Sequence, residues 1–279
     1  MPELPEVEII ARGLQQLTGR RIVGTDVRWE RSVSTPEPGA FMDHLQGRQI
    51  LRVSRRGKWV HLLLEGSAHL LIHLRMSGRL LVEPADAPTG EHTRVLLLLD
   101  DDRRLRFSDP RKFGRMILTA DADEVLGELG PEPLAEDFTP EQLGKMLADR
   151  RARLKSLLLN QRFLAGLGNI YTNEVLWRAK LHPLRRADTL SAQEVDRLHA
   201  AIQNVLKEAI ARRGTTLSDE RYVGVNGEPG DFAQQLAAYG RAGEPCPRCG
   251  SPVVRIVVGQ RGTYICRCCQ PEDKLRATH

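Results

Sequence analysis

Residues 130–137 read GPEPLAED, and the hydrophobic period of the chain changes across them. Pro131 and Pro133 break regular structure, while Glu132, Glu136 and Asp137 keep the stretch in water. We read it as the core of a linker, set at 131–138, between a domain built of strands and a domain built of helices. Upstream, RIVGTDVRW (21–29), QILRVSRRGKWVHLLLE (49–65), AHLLIHLRMSGRLLVE (68–83), TRVLLLLDDDRRLRFSD (93–109) and GRMILTA (114–120) are rich in Val, Ile and Leu. Polar clusters such as EGSA (65–68) and DDDRR (100–104) separate them. The pattern predicts a β-sandwich or barrel of about eight strands over residues 20–119.

Downstream the period is helical. PEQLGKMLADR (140–150), RLKSLLLNQ (153–161), NIYTNEVLWRA (169–179) and SAQEVDRLHAAIQNVLKEAIARR (191–213) are the candidate helices. The last opens on a capping box, Ser191 with Glu194, and stops at Gly214. A polar, Gly-containing loop, GTTLSDERYVGVNGEPGDF (214–232), follows. At the other end, MPELPEVE (1–8) begins a further helix: Pro5 suits its first turn, Glu6 and Glu8 its positive pole, and Val7, Ile10, Leu14 and Leu17 its apolar face. Helix entry explains Pro5 onward, but not Pro2 and Glu3.

All five cysteines lie between 246 and 269, in CPRCG and ICRCC. Cys246 with Cys249 and Cys266 with Cys269 form two C-x2-C pairs, the spacing of a tetrahedral, structural Zn²⁺ site with no open position. Cys268 is either free or takes the place of Cys269. Four thiolates around one Zn²⁺ carry a net charge of about −2, so the metal is not there to attract an anion. It folds a hairpin, VVRIVVGQRGTYIC (253–266), that holds Arg261 at its tip.

The chain carries 41 Lys and Arg against 36 Asp and Glu, a net charge of +5, and residues 131–279 hold the whole excess. That bias is compatible with a polyanionic partner. With 41% hydrophobic and 28% charged residues, no apolar run long enough to span a bilayer and no secretory signal, the sequence reads as an ordinary globular chain of the cell interior.

Taken in order, PELPEVE, RRGKW, HLRMSG, DPRKFGR, LGPEPL, GLGNIYTNEVLW, the HP at 182–183, GEPGDFAQQL, YGR and CPRCG…GQRGTYICRCCQ resemble formamidopyrimidine-DNA glycosylase, the bacterial enzyme that removes oxidised purines, over residues 2–270. The resemblance implies a multidomain α and β fold. Its parts are an N-terminal β-sandwich with flanking helices (2–130), the linker, a helix–two-turn–helix DNA-binding domain with a lesion-capping loop (139–243), and a β-hairpin zinc finger (244–272). It also implies one structural Zn²⁺, damaged double-stranded DNA as partner, a monomer, and the bacterial cytoplasm.

In this family the initiator methionine is removed and the N-terminal proline is the nucleophile, which carries over to Pro2, with Glu3 as general acid. Lys58 matches the family's strand lysine near the lesion phosphate, and Arg261 the zinc-finger arginine. His92, Arg111, Arg151 and Asn169 match DNA contacts, with Arg150 and Arg153 as rivals to Arg151. Met76, Arg111 and Phe113 match the residues that fill the hole left by the extruded base. The plainer alternatives are an exposed strand lysine for Lys58, core packing for Met76 and Phe113, a helix cap for Asn169, which is compatible with a phosphate contact, and a solvated turn residue for Arg261. The strand-to-turn junctions beside Gly or Pro favour the wedge for Met76 and Phe113. The loop at 217–232 matches the flexible cap over the base, without naming a base-reading residue. Two other readings share parts of the pattern: an endonuclease VIII-type glycosylase for oxidised pyrimidines, and a zinc-ribbon DNA-binding protein without catalysis.

Overall fold

The computed structural model describes residues 1–217 and 222–272. The chain forms two compact units, one of residues 1–128 with 210–233, the other of 129–209 with residues from 234 onward. The segment 210–233, which the expected division places with the helical domain, clusters with the first unit for physical reasons. Val82 donates its N–H to the Val225 carbonyl at 2.9 Å. Tyr222 and Val225 join the first unit's apolar core, and Gly13 lies so close under Val225 that a Cβ there would sit 2.5 Å from its Cγ2.

The first unit is a β-sandwich. Helix α1 (Leu4–Leu14) buries Val7, Ile10 and Leu14 as its period requires. Strands β1 (Ile22–Val27), β6 (Arg79–Pro84), β7 (Thr93–Leu99) and β8 (Arg103–Ser108) form a four-stranded sheet in the order β1-β7-β8-β6. Strands β2 (Val33–Thr35), β3 (Ile50–Arg56), β4 (Trp59–Leu64), β5 (Ala68–His73) and β9 (Arg115–Thr119) form a five-stranded sheet in the order β2-β9-β5-β4-β3. The sequence reading found every strand except β2. That strand is three residues long, is followed by Pro36, and pairs parallel with β9 through long-range contacts that a local pattern cannot show. Helix α2 (Pro38–Leu45) was also not foreseen; Glu37 caps it by accepting from the Gly39 and Ala40 N–H groups.

Between the sheets lie Phe41, Val53, Val60, Leu62, Leu70, Ile72, Leu80, Val95, Leu97, Leu105 and Phe107, all almost fully buried. Each contributes roughly 1.5–3 kcal/mol by leaving water. The chain crosses from one sheet to the other at β1→β2, at β5→β6 and at β8→β9. The pairings Arg79↔Ser108 and His73↔Arg115 set the last two crossings, residues 74–78 and 109–114, side by side. The pairing Trp59↔His73 places the two-residue β3–β4 turn, Gly57-Lys58, at the same rim.

The second unit holds α4 (Pro140–Ala148), α5 (Leu154–Leu158), α6 (Asn169–Arg178) and most of α7 (Ala192–Ala211), after the short α3 (Asp123–Leu126) of the first unit. The α7 capping box is formed: Ser191 N–H donates to Glu194 Oε2 at 3.0 Å, and Glu194 N–H to Ser191 Oγ at 3.3 Å. The hairpin β10 (Val253–Val258) and β11 (Arg261–Cys266) closes this unit. Its turn residues Gly259 and Gln260 both have positive φ, +55° and +62°, as a two-residue turn matched to the strand twist demands.

Candidate active site

Pro2 and Glu3 sit at the head of α1. Glu3 is the N-cap, 2% exposed, and its N–H donates to Glu6 Oε2 at 2.8 Å. The other Glu6 oxygen accepts from the Thr215 N–H, also at 2.8 Å. So Glu6, expected only to complement the helix dipole, is a buried clamp that fixes the backbone beside Pro2 to residue 215. Further along α1, Glu8 pairs with Arg55 at 3.0 Å, and Arg55 donates to the Gly57 carbonyl at 3.1 Å. This chain of contacts ties the start of α1 to the Gly57-Lys58 turn.

Lys58 is not the exposed strand lysine of the local reading. It occupies the second position of the turn and is only 6% exposed. A lysine taken that far out of water is held for a purpose other than solubility. Its neighbour His73 is missed by sequence reasoning, although it opens the HLRMSG motif. His73 Nδ1 accepts the Arg75 N–H at 3.0 Å, and the ring meets Trp59 edge-on at 4.8 Å. Burial, with Arg75 and Lys58 adding positive charge, holds its pKa down to about 3. Near neutral pH it is a neutral imidazole.

Met76 and Phe113 are not core. They are 36% and 47% exposed at the rim, on crossings 74–78 and 109–114. Each follows a non-glycine residue in the left-handed region, Arg75 at φ +54° and Lys112 at φ +61°, a conformation concentrated at functional loops. Arg111 is exposed, and its guanidinium lies 4.9 Å from the Phe113 ring centre. Lys112 is turned away, over the Trp29 ring at 4.0 Å. His92 is exposed just before β7.

In the second unit, Asn169 is not a cap. Gly168 is the N-cap, and Asn169 begins the helix. Its Nδ2 donates to the Gly262 carbonyl at 3.1 Å, while its Oδ1 is buried with no hydrogen-bond partner among the described residues. Lys155, which sequence reasoning missed, is fully buried and donates to Thr263 Oγ1 at 2.7 Å and Gly262 O at 3.2 Å. Asn173 Oδ1 accepts the Tyr264 N–H at 2.7 Å. Three side chains of α5 and α6 thus grip β11 next to Arg261, which is exposed at its start. Arg150, Arg151 and Arg153 are all exposed, so burial does not choose among them. The loop expected at 217–232 falls partly on residues 218–221, outside the described residues.

The sulfurs of Cys246, Cys249, Cys266 and Cys269 lie within 4.8 Å of one another. Those of Cys246 and Cys269 are 4.0 Å apart, and those of Cys249 and Cys266 3.4 Å. A tetrahedron of Zn–S bonds of about 2.3 Å sets its sulfurs about 3.8 Å apart, so the four fit one zinc. Trp177 Nε1–H points at Cys246 Sγ, 3.4 Å away. Cys268 is exposed and outside the cluster, so the fourth ligand is Cys269. With four protein ligands the metal is structural.

Models of three domain families cover the chain: the formamidopyrimidine-DNA glycosylase N-terminal domain over residues 1–116, the H2TH domain of the same enzyme over 129–221, and the zinc finger found in FPG and IleRS over 243–271. A formamidopyrimidine-DNA glycosylase of Roseiflexus sp. (strain RS-1) is 48% identical over 97% of this chain and 100% of its own. That of Protochlamydia amoebophila is 42% identical over 97% and 99%. Among solved structures, the MutM (Fpg) protein of Thermus thermophilus superposes with a TM-score of 0.88 at 43% identity, over 97% of this chain and 99% of that one. Lactococcus lactis Fpg in complex with abasic-site DNA superposes at 0.90 and 35% identity, over 97% and 100%. A β-sandwich with a cationic rim, an H2TH unit and a zinc hairpin define a class of DNA-repair fold. The chain belongs to the formamidopyrimidine-DNA glycosylase family.

Two outcomes test this geometry. Cys246→Ala or Cys266→Ala loses stoichiometric zinc by metal analysis, whereas Cys268→Ala keeps it. His73 binds a proton more weakly folded than unfolded, so its contribution to stability is whole above about pH 6.5 and is lost as pH falls toward about 3. Between those limits the loss is at most about 1.4 kcal/mol per pH unit. Denaturant titrations of His73→Asn, whose amide oxygen can still accept the Arg75 N–H, should show a shallower fall than wild type between about pH 6.5 and 5.

Proposed function

We propose that this chain is a bifunctional DNA glycosylase and AP lyase of base excision repair, removing 8-oxoguanine and formamidopyrimidines from duplex DNA. The observation that carries the reading is the rim of the first unit. One end of the sandwich gathers Lys58, Met76, Arg111 and Phe113, and the Glu8–Arg55–Gly57 contacts tie the head of α1, with Pro2 and Glu3, to that end. The wider division, a catalytic domain at 2–130, a helical domain at 139–243 and a zinc finger at 244–272 joined by the 131–138 linker, belongs to the same proposal.

The chemistry follows from the residues. Once Met1 is removed, Pro2 has a secondary amine with a pKa of roughly 8, and a usable fraction is neutral near pH 7. Its lone pair forms a bond to C1′ as the bond from C1′ to the base breaks. The base leaves with the bonding pair and takes up a proton, and the Pro2 nitrogen gives up its own, which restores its lone pair. Glu3 protonates the ribose ring oxygen, and the C1′–O4′ bond opens to leave an iminium between Pro2 and C1′. The cationic iminium acidifies C2′–H; loss of that proton expels the 3′ phosphate, and a second elimination expels the 5′ phosphate. Lys58, held beside neutral His73, supplies positive charge at the lesion phosphate. Met76, Phe113 and Arg111 fill the duplex where the base has left, and Arg111 faces the orphaned base. In the second unit Asn169, Arg151 and Arg261 serve phosphates, and His92 adds a contact from the first. Pro2, Glu3, Lys58 and Arg261 are the catalytic group in this reading. Among the described residues no helix is long and apolar enough to cross a membrane; we place the enzyme in the bacterial cytoplasm, acting as a monomer.

Borohydride reduction on an 8-oxoguanine duplex should yield a covalent adduct whose crosslinked peptide begins at Pro2; an adduct on Lys58 refutes the assignment. Glu3→Gln should suppress base removal while an existing abasic site is still cut.

Cytosine offers O2 and N3 as acceptors to a guanidinium, whereas adenine opposes it with an N6 donor. Wild type should therefore excise 8-oxoguanine opposite cytosine ahead of the same lesion opposite adenine, by roughly five- to 150-fold. Arg111→Ala should erase most of that ratio in excision kinetics at one salt concentration. A wild-type preference for thymine glycol would instead place the chain among pyrimidine-specific glycosylases.

A further inference from the structure

Asp109 is fully buried and takes no part in the chemistry above. Its carboxylate accepts three hydrogen bonds, and they do not all come from its own loop. Oδ1 accepts from Ser77 Oγ at 2.5 Å and from the Arg111 N–H at 3.2 Å. Oδ2 accepts from the Gly114 N–H at 2.7 Å. The backbone of the same residue reaches a third segment: Asp109 N–H donates to the His92 carbonyl at 2.8 Å, and Arg94 Nε donates to the Asp109 carbonyl, also at 2.8 Å.

An aspartate that merely initiates a turn bonds the backbone two residues on, which accounts for the Arg111 contact alone. It does not account for Ser77, which lies across the rim beside Met76 and is itself only 3% exposed. The bonds to His92 and Arg94 are made by the Asp109 backbone, extend the β7–β8 pairing, and do not depend on its side chain. Beneath both crossings lies one ring, Phe107. A Cβ on Gly78 would come within 2.9 Å of it, and a Cβ on Gly114 within 2.3 Å. Both glycines are therefore required by close approach, and both loops rest on the same floor. Between that floor and the exposed wedge residues, the Asp109 carboxylate is the polar link that joins one loop to the other.

We propose that Asp109 is the positioning residue of the wedge: its carboxylate locks segment 74–78 to segment 109–114, so that Met76, Arg111 and Phe113 enter DNA as one preorganised unit. This rests on the reading of those three side chains as the group that replaces the extruded base. All the side-chain partners of Asp109 are donors. An asparagine there turns an N–H₂ against a backbone N–H in either orientation, so Asp109→Asn unlocks the loops while keeping the volume of the side chain.

The experiment measures single-turnover excision of 8-oxoguanine opposite cytosine and opposite adenine, together with the fluorescence of 2-aminopurine placed opposite a non-cleavable abasic analogue. Asp109→Asn should lower the cytosine-to-adenine ratio by about tenfold, and reduce the 2-aminopurine change on binding. Ser77→Ala removes only the bond between the loops and should move both readouts the same way by a smaller amount; it stands in if Asp109→Asn does not fold. A substitution that merely costs folded protein scales both rates equally and leaves their ratio alone, so a wild-type ratio in both variants overturns the proposal. Phe113→Ala separates this failure from that of the underlying reading. If it too leaves the fluorescence change at the wild-type level, the wedge itself is wrong.

Discussion

Two sheets packed face to face leave the chain few ways between them. It must cross at the rim, and of the three crossings in the first unit two, β5→β6 and β8→β9, lie side by side. A crossing leaves its strand partners behind, so its N–H groups need other acceptors where water is excluded. One carboxylate, that of Asp109, supplies acceptors to both crossings, and a second, that of Glu6, serves the head of α1 and residue 215. The exposed groups proposed to touch DNA are thus carried on backbone that is held from beneath by buried acidic side chains. Rigidity at the rim comes from the same bonds that satisfy the buried polar groups.

The second unit meets a different shortage. A hairpin of two six-residue strands has too little apolar surface to be stable alone. Four thiolates gathered for one metal supply part of what is missing, and polar bonds from Lys155, Asn169 and Asn173 to β11 supply the rest. Burying Lys155 completely is costly unless its ammonium is well partnered; here it meets a hydroxyl and a carbonyl at the strand that carries Arg261. Glu174, one residue on from Asn173, accepts three backbone N–H groups from residues 237–239 at 2.8–3.0 Å, which anchors the segment leading into the hairpin.

The same logic separates side chains that look alike in the sequence. Arg94 and Arg185 are buried and Arg55 half-buried, and they are spoken for by the Asp109 carbonyl, Glu194 and Glu8. Arg111 and Arg261 stand in water. The number of cations says nothing about which of them faces a phosphate; the distribution of carboxylates and carbonyls beneath them does.

The sequence by itself determined the broad plan, because that plan rests on local signals. Val-, Ile- and Leu-rich runs between polar clusters named all the strands but β2, helical spacing named α1, α4, α5, α6 and α7, and two C-x2-C pairs named a zinc hairpin. Only the choice between Cys268 and Cys269 waited for coordinates, since both lie at the same turn and only one sulfur turns inward. Burial was not legible. A strand pattern offers Lys58 as exposed and Met76 and Phe113 as core; Lys58 is hidden, and Met76 and Phe113 stand at the rim, where only their place at strand-to-turn junctions pointed. Lys155, Asn173, Glu6 and Asp109 carried no local signal beyond turn or helix chemistry, although Asp109 before Pro110, with Gly114 five residues on, marks a tight turn. Their partners are 32 residues away for Asp109 and Ser77, 108 for Lys155 and Thr263, and 209 for Glu6 and Thr215. Local pattern records which face of a strand or helix is apolar. Which distant loops share one buried carboxylate was decided only when the two sheets closed.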